Sequence, residues 1–141
     1  MPGGGAGTLD QLIALYIGWG REFVVLLDSD GEGERQKARY VDKFGLALTD
    51  RLFTLGDLVP SLVGKSLESV YQPVDRTNLV IALGGDPTHQ VDKKTLNRMV
   101  QEALIRSTPL HLSNEAGAMF ASLLSQLDDR MKAVAAVESR R

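Results

Sequence analysis

The run Phe23-Val24-Val25-Leu26-Leu27 stops abruptly at Asp28-Ser29-Asp30-Gly31-Glu32-Gly33-Glu34, and no other stretch constrains the fold so tightly. An unbroken apolar run of this length, bounded by turn residues, reads as a strand buried on both faces, as in parallel sheets flanked by helices. Open α/β sheets gather their ligand sites just beyond the carboxyl ends of such strands. Asp28 and Asp30 stand at that end. Residues i and i+2 share a face only while a strand continues. Gly31 and Gly33 end this one, so both carboxylates can converge from the turn.

The surrounding pattern fits an α/β fold. Thr8 and Gln11 have capping-box spacing, and Leu9, Leu12, Ile13 and Tyr16 follow as one helical stripe that Gly18 and Gly20 end. After the strand, a helix is expected from about Gly33 to Phe44, with Ala38, Val41 and Phe44 inward and Gly45 stopping it. Arg51 to Leu55 reads as a further short strand. This alternation of helix and strand argues for a parallel sheet.

Beyond it the pattern changes. Residues 56–73 read as loop and short helix, and Leu79–Leu83 is ambiguous between helix and strand. Asp92 is placed to cap a helix carrying Leu96, Met99, Val100, Ala103 and Leu104 on one face. Pro109 separates it from a last helix, capped by Ser113 or Asn114 and lined by Phe120, Leu123, Leu124, Leu127, Met131 and Val134. The expected organisation is an α/β domain over residues 1–74 and a mainly helical extension over 75–141.

Composition narrows the function classes. A chain of 141 residues has room for one domain with a real core. With no cysteine, disulfides, thiolate zinc sites and cysteine nucleophiles are excluded. No apolar run approaches the roughly eighteen residues of a membrane span, and Met1-Pro2-Gly3-Gly4-Gly5 lacks the regions of a signal peptide. A cytoplasmic protein without a membrane partner is therefore expected. The formal charge of −2 gives no global footprint for nucleic acid. Arg35, Lys37, Arg39 and Lys43 nonetheless form a local basic run, which is either a solvated helix face or a phosphate contact.

Hard cations prefer oxygen ligands, and Mg²⁺ usually keeps several waters, so one or two carboxylates suffice per ion. Asp28 is expected as a direct ligand of Mg²⁺ or Mn²⁺, and Asp30 as a ligand of the same or a neighbouring ion. A polar turn is the plain alternative for the pair. Glu32 and Glu34 either add metal contacts or serve as acids that the helix dipole favours in a first turn. His89 and His111 stand alone without metal-ligand spacing and receive no role. Trp19 is expected to pack at a helix end.

Three segments carry a family resemblance. They are Gly3-Gly4-Gly5-Ala6-Gly7, then Gly18-Trp19-Gly20 at a helix end, then the strand running into Asp28-Ser29-Asp30-Gly31-Glu32-Gly33. In this order they resemble the Toprim fold, the metal-binding module of topoisomerases, primases and nucleases, and most of all the OLD-family endonucleases. Gly64-Lys65-Ser66-Leu67-Glu68-Ser69-Val70 looks like that family's Gly-Lys-Thr-Ile-Glu-Asp-Leu segment, and Asp92-Lys93-Lys94 looks like its Ser-Lys-Lys segment. The resemblance implies a partial Toprim, Rossmann-like parallel sheet. It also implies Mg²⁺-dependent DNA cleavage, with Asp28, Asp30 and Lys93 in catalysis and Asp28, Asp30, Glu32 and Glu68 toward metal. Lys93 would offset charge on the scissile phosphate. Two lysines in a first helical turn also oppose the dipole, so something should compensate, and a bound phosphate would do so.

The chain departs from the pattern in one respect. A complete Toprim domain opens with a strand ending in a catalytic glutamate, and none precedes Glu22 here. By resemblance the chain looks like the C-terminal portion of a longer protein with an N-terminal ABC-type ATPase and the rest of the Toprim domain. It carries no Gly-x-x-x-x-Gly-Lys-Ser/Thr phosphate loop of its own. Haloacid-dehalogenase-type phosphatases also place Asp-x-Asp-Gly at a strand end, with the first aspartate as nucleophile. Asp28-Ser29-Asp30-Gly31 fits them that far and Gly85-Asp86 would be the later acidic motif, but Glu32 stands where they have Thr. A third reading is a non-catalytic structural portion, whose amphipathic C-terminal helices would cover an apolar face in a homodimer or on another element.

Overall fold

The computed structural model describes residues 6–140. They fall into two compact units, one of residues up to 65 together with those from Leu123 onward, the other Ser66–Ser122. The boundary between the units lies at 65/66, and the part of the last helix from Leu123 onward clusters with the N-terminal residues.

In the first unit, α1 (Ala6–Gly18) leads to β1 (Val25–Leu27), α2 (Gly31–Phe44), α3 (Leu46–Thr49), β2 (Leu52–Thr54) and α4 (Leu55–Leu58), and a 3-10 turn follows at Pro60–Leu62. The strands pair in parallel, with Val25 opposite Leu52, Leu26 opposite Phe53 and Leu27 opposite Thr54. A parallel pair requires a crossover, and α2 supplies it while packing on both strands. Ile13 of α1, Phe23, Val25 and Leu27 around β1, Tyr40 of α2, Leu48 of α3 and Leu52 of β2 form one buried cluster.

Burial of β1 alternates. Phe23, Val25 and Leu27 are buried, whereas Val24 and Leu26 are half-buried. The expected strand sealed on both faces is thus sealed on one. The second face bears Leu26 and Phe53, and the Arg130 guanidinium lies 5.0 Å from the Phe53 ring centre.

Three local expectations change. The helix is already formed at Ala6, so Thr8 lies inside α1 and does not cap it. In α2 the fully buried side chain is Tyr40, Val41 and Phe44 pack beside it, and Ala38 is exposed. Steps of three residues drift round a helix, while the buried stripe alternates steps of three and four. Trp19, expected to pack, is 64 % exposed. Gly45 ends α2 as foreseen, at φ 66°, a conformation that L side chains rarely adopt.

The second unit contains a 3-10 turn (Leu67–Val70), α5 (Pro73–Ala82), α6 (Lys93–Ile105) and the first turns of α7 (Asn114–Glu138). Leu79–Leu83 is therefore helical over most of its length. Leu79, Leu96 and Ala103 are its buried centre, with Met99, Val100, Tyr71 and Leu110 packed around them. Leu104 is 65 % exposed, because the contact of α6 with α5 covers a narrower stripe than the sequence pattern offers. Asp75 is 3 % exposed and accepts hydrogen bonds from the backbone nitrogens of Gln72 (2.7 Å) and Ser113 (2.5 Å) and from Ser113 Oγ (2.8 Å). One buried carboxylate thereby ties the start of α5 to the start of α7. No helix among the described residues is long and apolar enough to cross a membrane.

Candidate functional site

Asp28 follows β1 directly, and Asp30 is the N-cap of α2. The segment between them is pinned. Ser29 is buried at 3 % exposure, and its backbone nitrogen donates to Lys65 O at 2.9 Å. Asp30 Oδ1 accepts from Gly33 N at 2.9 Å, and Asp30 O accepts from Glu34 N at 3.0 Å. Gly33 lies so close to the strand end that a Cβ built on it would stand 1.9 Å from Asp28 O. Only glycine permits this approach, which sets the start of α2 against the carboxyl end of β1. Asp28 and Asp30 are both half-buried.

The turn is therefore a cap in its own right, and its chemistry follows from what remains of the carboxylates. An ionised carboxylate has about four lone-pair sites, so one bond from Gly33 N leaves Asp30 able to ligate a cation. Among the described residues no group of three or more Asp, Glu or His side chains gathers around one point. A cation held by Asp28 and Asp30 would complete its shell with water or substrate oxygens. That donor set suits Mg²⁺ or Mn²⁺, which tolerate few protein ligands.

Glu32 is placed otherwise. Its oxygens accept from Arg35 Nη2 at 2.7 Å and Gln36 Nε2 at 3.1 Å on the exposed face of α2. The Arg35 and Gln36 hydrogen bonds hold its carboxyl below the ordinary value. This is the first-turn helix acid of the alternative reading. Glu34 is exposed in the same turn.

The basic run is matched by acids. Lys37 Nζ lies 2.6 Å from Asp57, Lys43 Nζ 2.6 Å from Asp10 and Arg39 Nη2 3.3 Å from Asp10. The Lys43 contact leads in drawing the Asp10 carboxyl below its usual range. These cations form a charge-paired helix face.

Glu68 and Lys93 meet each other in the second unit. Glu68 is 9 % exposed, Asn97 Nδ2 donates to its Oε1 at 2.7 Å, and Lys93 Nζ stands 3.2 Å from Oε2 as an ion pair. Burial pushes the Glu68 carboxyl up, but the Asn97 hydrogen bond, a hydrogen bond from its own backbone and Lys93 together outweigh it and hold the group below its ordinary value. Lys93 opens α6, whose N-cap is Asp92, with Oδ1 accepting from Thr95 N at 2.7 Å. Lys93 thus has a protein carboxylate beside it. Asn97 escaped the sequence reading, although it follows Lys93 at the i+4 spacing that shares a helix face.

The later acidic residue of the phosphatase comparison, Asp86, lies in an exposed loop. It accepts from Thr88 N at 2.9 Å and Thr88 Oγ1 at 2.7 Å and pairs with His89 at 3.2 Å. His111 is exposed. Of the glycine segment at the start of the chain, Gly3–Gly5 lie outside the described residues, while Ala6 and Gly7 belong to α1. No family model, curated protein or solved structure matches this chain.

Proposed function

We propose that this chain is the metal-binding part of a DNA phosphodiester-cleaving enzyme, with Mg²⁺ or Mn²⁺ taken up at Asp28 and Asp30. One observation carries the reading. Both carboxylates flank a pinned turn at the carboxyl end of a strand in a parallel pair, where α/β folds hold their ligands. The Toprim-like order of segments in the sequence selects nuclease chemistry among the reactions such a site serves. A divalent cation there would polarise a phosphoryl oxygen and lower the pKa of bound water. Asp28 and Asp30 would hold and orient it, and Asp30 would also keep α2 anchored. Glu32 and the Glu68–Lys93 pair, already engaged locally, stand behind these two in the proposal. An OLD-like ATPase portion and DNA are the partners it implies.

The test is cation uptake by calorimetry with MnCl₂, followed by nicking of supercoiled plasmid under the conditions that give uptake. Asp28→Asn should weaken Mn²⁺ binding at least tenfold and give no nicking wherever the wild type nicks. Undiminished uptake or nicking by Asp28→Asn defeats the proposal, as does a wild-type chain that takes up neither Mn²⁺ nor Mg²⁺. The Asp30–Gly33 hydrogen bond favours a second, structural reading, in which the turn is a helix cap alone. Asp30→Ser separates the two, since serine caps about as well as aspartate but leaves one carboxylate fewer for the cation.

A further inference from the structure

Within the first unit, a cleft of about 530 Å³ opens between the ends of α1 and α7, helix α3 and strand β2. That volume falls in the range of small-molecule sites, roughly 300–1,000 Å³, which are mostly apolar with a few placed polar groups. Ile17, Phe53, Val134 and Val137 supply apolar wall. Ile17 and Val137 are 38 % and 50 % exposed, so the wall is wet rather than covered by the protein's own side chains.

The charges in the cleft are unequal. Arg51 is neutralised, because its guanidinium is ion-paired with Glu138, donates to Arg21 O at 3.2 Å and lies 5.1 Å from the Phe23 ring centre. Arg21 and Arg130 also line the cleft, and neither makes an ion pair among the described residues. Arg130 instead rests over the Phe53 ring. Apart from Glu138, Asp50 is the carboxylate in the lining. Two guanidiniums thus stand against one acid beside an apolar wall. Guanidinium groups bind carboxylates through paired N–H donors and stack on flat rings.

We propose that this cleft is a binding site for a small aromatic carboxylate, its ring against Ile17, Phe53 and Val137 and its anion toward Arg21 and Arg130. The site is separate from the Asp28–Asp30 turn and does not rest on the nuclease reading. The probe is 1-naphthoate, with 1-naphthylmethanol as its uncharged counterpart, titrated into the ¹⁵N-labelled chain and followed by amide shifts. Naphthoate should bind at least tenfold more tightly than the alcohol, with the largest shifts at Ile17, Phe53, Ala133 and Val137. The Arg21→Gln, Arg130→Gln double variant should lose that preference while leaving alcohol binding unchanged. Val137→Trp, at an exposed position, should fill the cleft and abolish binding of both. Equal affinity for the two probes, shifts centred elsewhere, retained binding in Val137→Trp, or no binding up to millimolar concentrations would overturn the proposal.

Discussion

Replacing Gly33 by alanine tests how closely the start of α2 approaches the end of β1. Gly33 is inside α2, where helix propensity alone favours alanine by about 1 kcal/mol. The contact reverses that sign. An added Cβ would stand 1.9 Å from Asp28 O and 2.6 Å from Asp28 C, whereas real Cβ contacts essentially never fall below 3.0 Å. Both neighbours are backbone atoms, so no side chain can swing away, and the start of α2 has to move off β1. Overpacking of this kind costs about 1–3 kcal/mol, and loss of the Asp30 cap adds about 1 kcal/mol. Against the propensity gain, a net destabilisation of about 2 kcal/mol is expected. Gly31→Ala is the matched control, because a Cβ there meets nothing within 4 Å. It should be neutral or stabilising by up to about 1 kcal/mol. Urea unfolding followed by far-ultraviolet circular dichroism gives both values. A Gly33→Ala midpoint equal to or above wild type would show that strand and helix do not approach as closely as this turn requires.

Two further outcomes follow from the buried groups. Tyr40→Ala, which empties a position of 0 % exposure in the first core, should cost about 3–5 kcal/mol in the same urea assay, and a loss under 1 kcal/mol would contradict its central place. The Glu68 carboxyl lies below its ordinary 4.5, so its contribution is present above that pH and fades as pH falls through the folded-state value. The stability advantage of wild type over Glu68→Gln should accordingly be constant near neutrality and shrink below about pH 4.5. Thermal melts from pH 7 to pH 3 that show a constant gap would remove the ion pair with Lys93 from the account.

Elements governed by neighbouring residues were legible. Asp92 caps α6 and Gly45 ends α2 because a cap acts within one helical turn. The strand at Asp28, its partner near Leu52 and the parallel pairing followed from apolar runs separated by a helix. Exposure was less legible. Leu104 and Leu124, at 65 % and 66 % exposed, continue apolar stripes but have no covering element among the residues around them. A stripe states which face can be buried, not how far along the helix the neighbour reaches.

The candidate site divides in the same way. That Asp28 and Asp30 flank a turn at a strand's end is written in adjacent residues, and the backbone there had few alternatives. That Gly33 must touch Asp28 O, that Glu32 turns to Arg35 and Gln36, and that Glu68 closes on Lys93 and Asn97 depended on folding. Local order comes from short-range sterics and hydrogen bonds, which the chain encodes residue by residue. The pairing of charges comes from which surfaces the packed helices bring within a few ångströms, and only the assembled fold decides that.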